Sequence, residues 1–144
     1  MSEEFYKAPE AELMDHTATD AAVWNPDAAG AWSILFTPIF GSILVYKNWN
    51  SLGETELAAK SIKWIYISVF MAIVAGFVNL IGFIYLVTWY YLSQKEQSTY
   101  IRERHANMYN KKGWLIPLSI ALLLSIGFII LIGIASFALL SGGS

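Results

Sequence analysis

The chain of 144 residues contains no cysteine. Disulfides, thiolate metal sites and thiol nucleophiles are therefore excluded. Charge is nearly as scarce: Asp, Glu, Lys and Arg make up 14% of the residues, against 56% hydrophobic ones. A soluble domain is about a quarter charged, so this chain lacks the polar residues to cover a globule. Residues 64–92 and 114–140 hold no Asp, Glu, Lys, Arg or His at all. Each run exceeds the roughly 20 apolar residues that cross a hydrocarbon core. Neither run alternates apolar and polar faces as a soluble core helix does. The first 30 residues carry seven acidic side chains and one Lys. They offer no apolar core behind a basic start, so no signal peptide is expected, and the chain is expected to insert through its own hydrophobic segments.

What is present falls into a few blocks. Residues 1–27 read as an acidic cytoplasmic arm with no apolar stripe to compel structure. At its end, Trp24-Asn25-Pro26-Asp27 reads as a turn into a helix, because Asn before Pro is driven from the helical region and Pro suits a first helical turn. Residues 28–140 form the transmembrane domain, with hydrophobic blocks at 31–46, 64–92 and 114–140, and 141–144 is a polar tail. Block one is only about 24 Å long as a helix, and Pro38 and Gly41 interrupt it. A short kinked span and a re-entrant or broken helix pair both fit. Block two would be about 43 Å as one helix. It allows one steeply tilted span or a tight hairpin turning near Asn79, an amide flanked by Gly76 and Gly82. Residues 94–105 keep a helical composition and belong to a basic segment, 94–113. Block three reads as one long span with Pro117 in its first turn.

Orientation follows Lys and Arg in short loops. With a spanning block one and a single-span block two, six basic residues lie inside and three outside. With a re-entrant block one and a hairpin block two, all nine lie inside. The hairpin is preferred on charge, although arms of about 15 residues are short unless Lys60 and Lys63 snorkel. The expected fold is all-α: an integral membrane helical protein with a short, Pro-kinked or re-entrant first helix and two longer hydrophobic blocks, the second a helical hairpin.

Residues 32–42 read Trp-Ser-Ile-Leu-Phe-Thr-Pro-Ile-Phe-Gly-Ser, and residues 48–54 read Asn-Trp-Asn-Ser-Leu-Gly-Glu. This resembles uncharacterised small bacterial inner-membrane proteins with an Asn-Pro-x-Ala-Ala…Trp-Ser-x-x-Phe-Thr-Pro-x-Phe-Gly segment followed by Asn-Trp-x-x-Leu-Gly. The resemblance covers about residues 24–118 and implies a bacterial inner-membrane protein with a two-helix second block. It implies no activity.

Candidates for chemistry are few. His16, beside Asp15, Glu12 and Asp20, sits on the arm, where a solvated charge cluster outweighs a rigid metal site. His105, in Arg-Glu-Arg-His, reads as a basic helix face near lipid headgroups. No nucleophile, acid–base or phosphate-loop constellation is recognisable, so no catalytic, cofactor-binding or metal residue is assigned. Ser68, Ala72 and Gly76 make a small-residue ridge, and Ala121 and Ser125 a shorter one, of the kind that lets helices approach closely in lipid. Trp49, Trp64, Trp89 and Trp114 read as interfacial anchors. The functional expectation is a non-enzymatic inner-membrane protein, N-terminus cytoplasmic, acting through a protein partner or as a homo-oligomer. One version is an immunity protein against a membrane-targeted toxin, another an accessory subunit. A small oligomeric channel or transporter is the alternative. The bilayer is an expected partner and nucleic acid is not.

Overall fold

A computed structural model of the chain describes residues 19–76 and 78–141. Most of the acidic arm, including His16, lies outside these residues. The elements are β1 (Thr19–Val23), α1 (Pro26–Ser51), α2 (Thr55–Ala75), α3 (Asn79–Trp89), a π-helical turn (Tyr90–Gln94), α4 (Lys95–His105), β2 (Tyr109–Lys111) and α5 (Leu115–Ser141).

Helix α1 starts where its sequence provides both a cap and a compatible first turn. The Asn25 side chain accepts hydrogen bonds from the Asp27 and Ala28 backbone N–H groups at 3.0 and 3.4 Å, and Pro26 follows in the first turn, where a missing N–H costs nothing. Ten residues on, the helix breaks. Pro38 disfavours the helical region for Thr37, and Thr37 adopts φ 71, ψ 158, beside a non-helical Phe36. The chain then reverses. Trp24 donates its backbone N–H to the Asn48 side chain at 2.9 Å, and Asn48 Nδ2 donates to the Trp24 carbonyl at 2.8 Å. A straight helix would separate these residues by roughly 36 Å, so α1 is two limbs folded against one another. Close packing of the limbs needs Gly41: a Cβ there would overlap the Ser33 hydroxyl and the Trp89 ring.

Gly53, at φ 78, turns the chain into α2. Helices α2 and α3, which end at Ala75 and begin at Asn79, form an antiparallel hairpin. Its arms are tied by Ser68–Tyr85 at 2.7 Å and by the Lys60–Glu96 ion pair at 2.8 Å. Gly82 lets α3 approach α2, since a Cβ would lie 2.9 Å from that of Ala75. The π turn and α4 continue α3 without a break. The core lies where the returning limb of α1 meets α2 and α3, and consists of Val45, Trp49, Ala58, Tyr85 and Trp89. β2 then pairs with β1 in parallel, Ala22 opposite Asn110 and Val23 opposite Lys111, and α5 touches α1 while leaving most of its surface exposed.

By length and composition three helical segments could cross a membrane: Pro26–Ser51, which the break at Phe36–Thr37 divides into two shorter limbs, Thr55–Ala75 and the Leu115–Ala138 part of α5. Around them the outer surface is apolar, as at Phe70, Phe83, Leu123 and Phe137, all more than 60% exposed. An apolar surface this broad is far outside what soluble monomers show in water. These features point to a multi-pass membrane protein.

Candidate functional site

One end of the molecule collects the chain crossings other than the α1 reversal at Phe36–Thr37, the α2–α3 turn and the end of α5. There the two limbs of α1 close, α2 begins, α4 emerges and α5 starts. Three side-chain amides hold this end together. Asn48, fully buried, grips Trp24 through both backbone groups and donates from Nδ2 to Gln97 Oε1 at 3.0 Å. Gln97, also fully buried, donates from Nε2 to the Val45 carbonyl at 2.9 Å. Gln94, one turn earlier, donates to the Pro26 carbonyl at the head of the descending limb. These amides tie α4 and the π turn to the mouth of α1, and a buried amide left unpaired would cost about 1–3 kcal/mol.

Above this amide floor lies a polar rim. Asp27 accepts a hydrogen bond from the Ser98 hydroxyl, and both line a shallow cavity of about 240 Å³ with Asn25, Asn107, Tyr109 and Lys111. Burial, reinforced by the Asp27 carboxylate, pushes the Tyr109 phenol pKa up. Asn110 Nδ2 donates to the Asp20 carbonyl at 3.0 Å, which fastens the last residues of the arm to the basic segment. On the other flank Tyr100 donates to Glu54 and stacks edge-on against Trp49 at 4.9 Å. Its phenol pKa is raised by burial first and by Glu54 second.

The buried groups are not all paired. Trp89 Nε1, Ser93 Oγ and Gln94 Oε1 are buried and have no hydrogen-bond partner. All three lie in or next to the π turn, a geometry often found at functional positions. Among the described residues no group of His, Asp and Glu could hold a metal ion.

The residues singled out from the sequence land in mixed places. Ser68 is buried and joins Ser42 at 3.1 Å and Tyr85 at 2.7 Å. Ala72 and Gly76 are exposed, and a Cβ at Gly76 would meet only its own helical turn. The close approaches run instead through Gly41 and Gly82. Ala121 is buried and accepts the Ser125 hydroxyl at 2.8 Å. Asn79 is the first residue of α3, next to the turn. Trp64 and Trp114 are half-buried. Trp49 and Trp89 are core residues with 2% and 0% exposure, because the doubled α1 and the α2–α3 hairpin close over them. His105 packs its ring against Tyr100 at 5.9 Å.

Sequence reasoning passed over Asn48, Gln94, Gln97 and Trp24. The available signal was the i, i+3 spacing of the two glutamines just after an apolar block, which puts two amides on one helix face. No family model matches the chain, and neither a curated protein nor a solved structure does.

Proposed function

We propose that the chain is a non-enzymatic bacterial inner-membrane protein that acts through protein contacts made at its basic end. In this reading α1 is a re-entrant hairpin, with limbs of about 15 and 20 Å that dip into the bilayer and return. α2 and α3 then cross and come back, and α5 crosses once. Lys47, Lys60, Lys63, Lys95, Arg102, Arg104, Lys111 and Lys112 all belong to segments at one end, which the positive-inside rule assigns to the cytoplasm. The N-terminal arm is then cytoplasmic as well.

The observation that carries this reading is the β1–β2 pairing. It fastens the exit of the acidic arm to the basic segment, with the Thr19 N–H donating to the Met108 carbonyl at 3.2 Å and the Lys112 N–H to the Val23 carbonyl at 2.9 Å. Two recognition surfaces far apart in sequence become one platform on a rigid floor. An immunity protein for a membrane-targeted toxin and an accessory subunit both use such a platform. The test is site-specific photocrosslinking in cells from Glu103 and Asn110, both exposed, with Leu123 on α5 as the lipid-facing control. One discrete adduct shared by positions 103 and 110 and absent at 123 is expected. Adducts only at position 123 would overturn the reading.

A second reading, a small oligomeric channel or transporter, is favoured by one observation: the unpaired Trp89 Nε1, Ser93 Oγ and Gln94 Oε1, which a hydrated path would satisfy. Ion flux through proteoliposomes containing the purified chain, abolished by Gln94→Leu, would establish it.

A further inference from the structure

The junction between the end of α1 and the start of α5 carries two lysines, and among the described residues no carboxylate pairs with either. Lys112 lies just before α5. Its ammonium donates to the Ser51 hydroxyl at 2.8 Å and stands 4.4 Å from the centre of the Trp24 ring. The Trp24 indole is itself fixed, Nε1 donating to the Gly113 carbonyl at 3.0 Å. Lys112 is half-buried. Burial first, and the charge of Lys47 second, lower its pKa. Lys47, exposed near the end of α1, lies one helical turn before Ser51, the hydroxyl that Lys112 holds, and so shares the same neighbourhood. Among the described residues the one salt bridge is Lys60–Glu96, and neither Lys47 nor Lys112 meets a carboxylate there.

Two ammonium groups held near each other, one of them partly desolvated, repel and lose hydration with no return from within the described chain. Negative charge supplied from beyond the described residues relieves such an arrangement. Several features define that group. It lies where α5 meets the membrane surface and beside an indole, the side chain that favours the headgroup layer. Ammonium and hydroxyl donors suit the oxygens of a phosphate. We propose that Lys47 and Lys112, with the Ser51 hydroxyl and the Trp24 ring, bind the phosphate of an anionic phospholipid at the membrane surface. This rests on the membrane reading above and adds a specific headgroup site to it.

The full chain, purified in a zwitterionic detergent, is titrated with phosphatidylglycerol, with phosphatidylcholine and with inorganic phosphate. Retained lipid is counted by native mass spectrometry and protection read as a shift in melting temperature. One retained phosphatidylglycerol and a rise in melting temperature are expected, with no comparable effect of phosphatidylcholine. Lys47→Gln, which removes an exposed side chain, should weaken phosphatidylglycerol binding about fivefold, and the Lys47→Gln/Lys112→Gln pair about thirtyfold. Lys112→Arg should retain binding. Lys60→Gln and Lys63→Gln serve as controls for diffuse attraction and should retain it as well. Equal protection by inorganic phosphate would show a soluble-anion site and overturn the lipid assignment. Unchanged phosphatidylglycerol binding in Lys47→Gln would overturn the site. Extraction of the chain from membranes by alkaline carbonate would fail the membrane reading itself, independently of either result.

Discussion

Asn48 places a primary amide where a backbone would otherwise go unsatisfied. Both ends of its side chain are engaged, to the Trp24 N–H and carbonyl and to Gln97. Asn48→Leu keeps the volume and leaves the buried Gln97 Oε1 and two part-buried Trp24 backbone groups unpaired. At about 1–3 kcal/mol for a buried unpaired group, unfolding in detergent should show a loss of about 2 kcal/mol. Asn50→Leu removes only an exposed bond to the Tyr46 carbonyl and should change stability by less than about 0.5 kcal/mol. Thr37 argues in the opposite direction. Its φ of 71 with ψ of 158 lies in a region nearly confined to glycine and costs on the order of 1–3 kcal/mol. Thr37→Gly should therefore raise the unfolding free energy by about 1 kcal/mol, reduced from the full strain because glycine gains freedom in the unfolded chain. A destabilised Thr37→Gly would mean that the methyl or hydroxyl group makes a contact worth more than the strain.

The elements differ in how readily the sequence revealed them. Uncharged runs mark α2, α3 and α5 directly, since nothing but helix satisfies the backbone of such segments in lipid. The α1 break was also visible, because Pro38 acts on its neighbours through local sterics. The amide floor was not. Gln94 and Gln97 look like ordinary polar helix residues until the π turn is known, and a π turn leaves no compositional mark. That turn inserts one extra residue and rotates everything after it by about 100° relative to an unbroken helix. Trp89 thereby faces the core while Gln94 and Gln97 still face α1. Deleting Leu92, an exposed residue, should restore α-helical phase. Either Gln97 or Trp89 must then turn outward. The expected result is a protein that still inserts but is cut readily by protease within α1, whereas Leu92→Ala should resist cleavage like the wild type. The core positions of Trp49 and Trp89 were hidden for a related reason. A Trp beside a Lys at the end of an apolar run is the same sequence whether it faces lipid headgroups or the inside of a hairpin.

At the scale of the whole molecule, the doubled α1 and the α2–α3 hairpin bring the chain back to one end. The absence of natural cysteine allows this to be tested with single introduced cysteines. Glu103→Cys and Asn50→Cys should both be protected from a membrane-impermeant thiol reagent applied to intact cells. Val78→Cys and Leu140→Cys should label. Labelling at position 50 with protection at 103 would require α1 to cross the bilayer straight, and the Trp24–Asn48 contact would then be lost. The apolar blocks thus make the candidate spans legible. The way they fold back depends on side-chain partners 49 to 90 residues apart, such as Asn48 with Gln97 and Asp20 with Asn110, which a reading of local pattern does not reach.

The separation of those partners sets an order of events during synthesis. Every group that fastens the mouth of α1 from outside, Gln94, Gln97 and β2, is made long after α1 itself. At about 5–20 residues per second, α1 waits several seconds before its fasteners leave the ribosome. During that interval it is a nascent helix pair without its packing partners, fastened at its mouth by its own Asn48–Trp24 contact. A chain arrested after residue 76 should therefore expose α1 to an added protease. One arrested late enough for β2 to have emerged should protect it. A time-resolved proteolysis series on ribosome-bound chains would find the step between these two lengths, near the emergence of residues 94–111, and a smooth gain in protection from residue 51 onward would show that α1 closes without them. The clamp thus works as a length sensor. Until the polypeptide has been made far enough to include its second half, the first half has no settled shape.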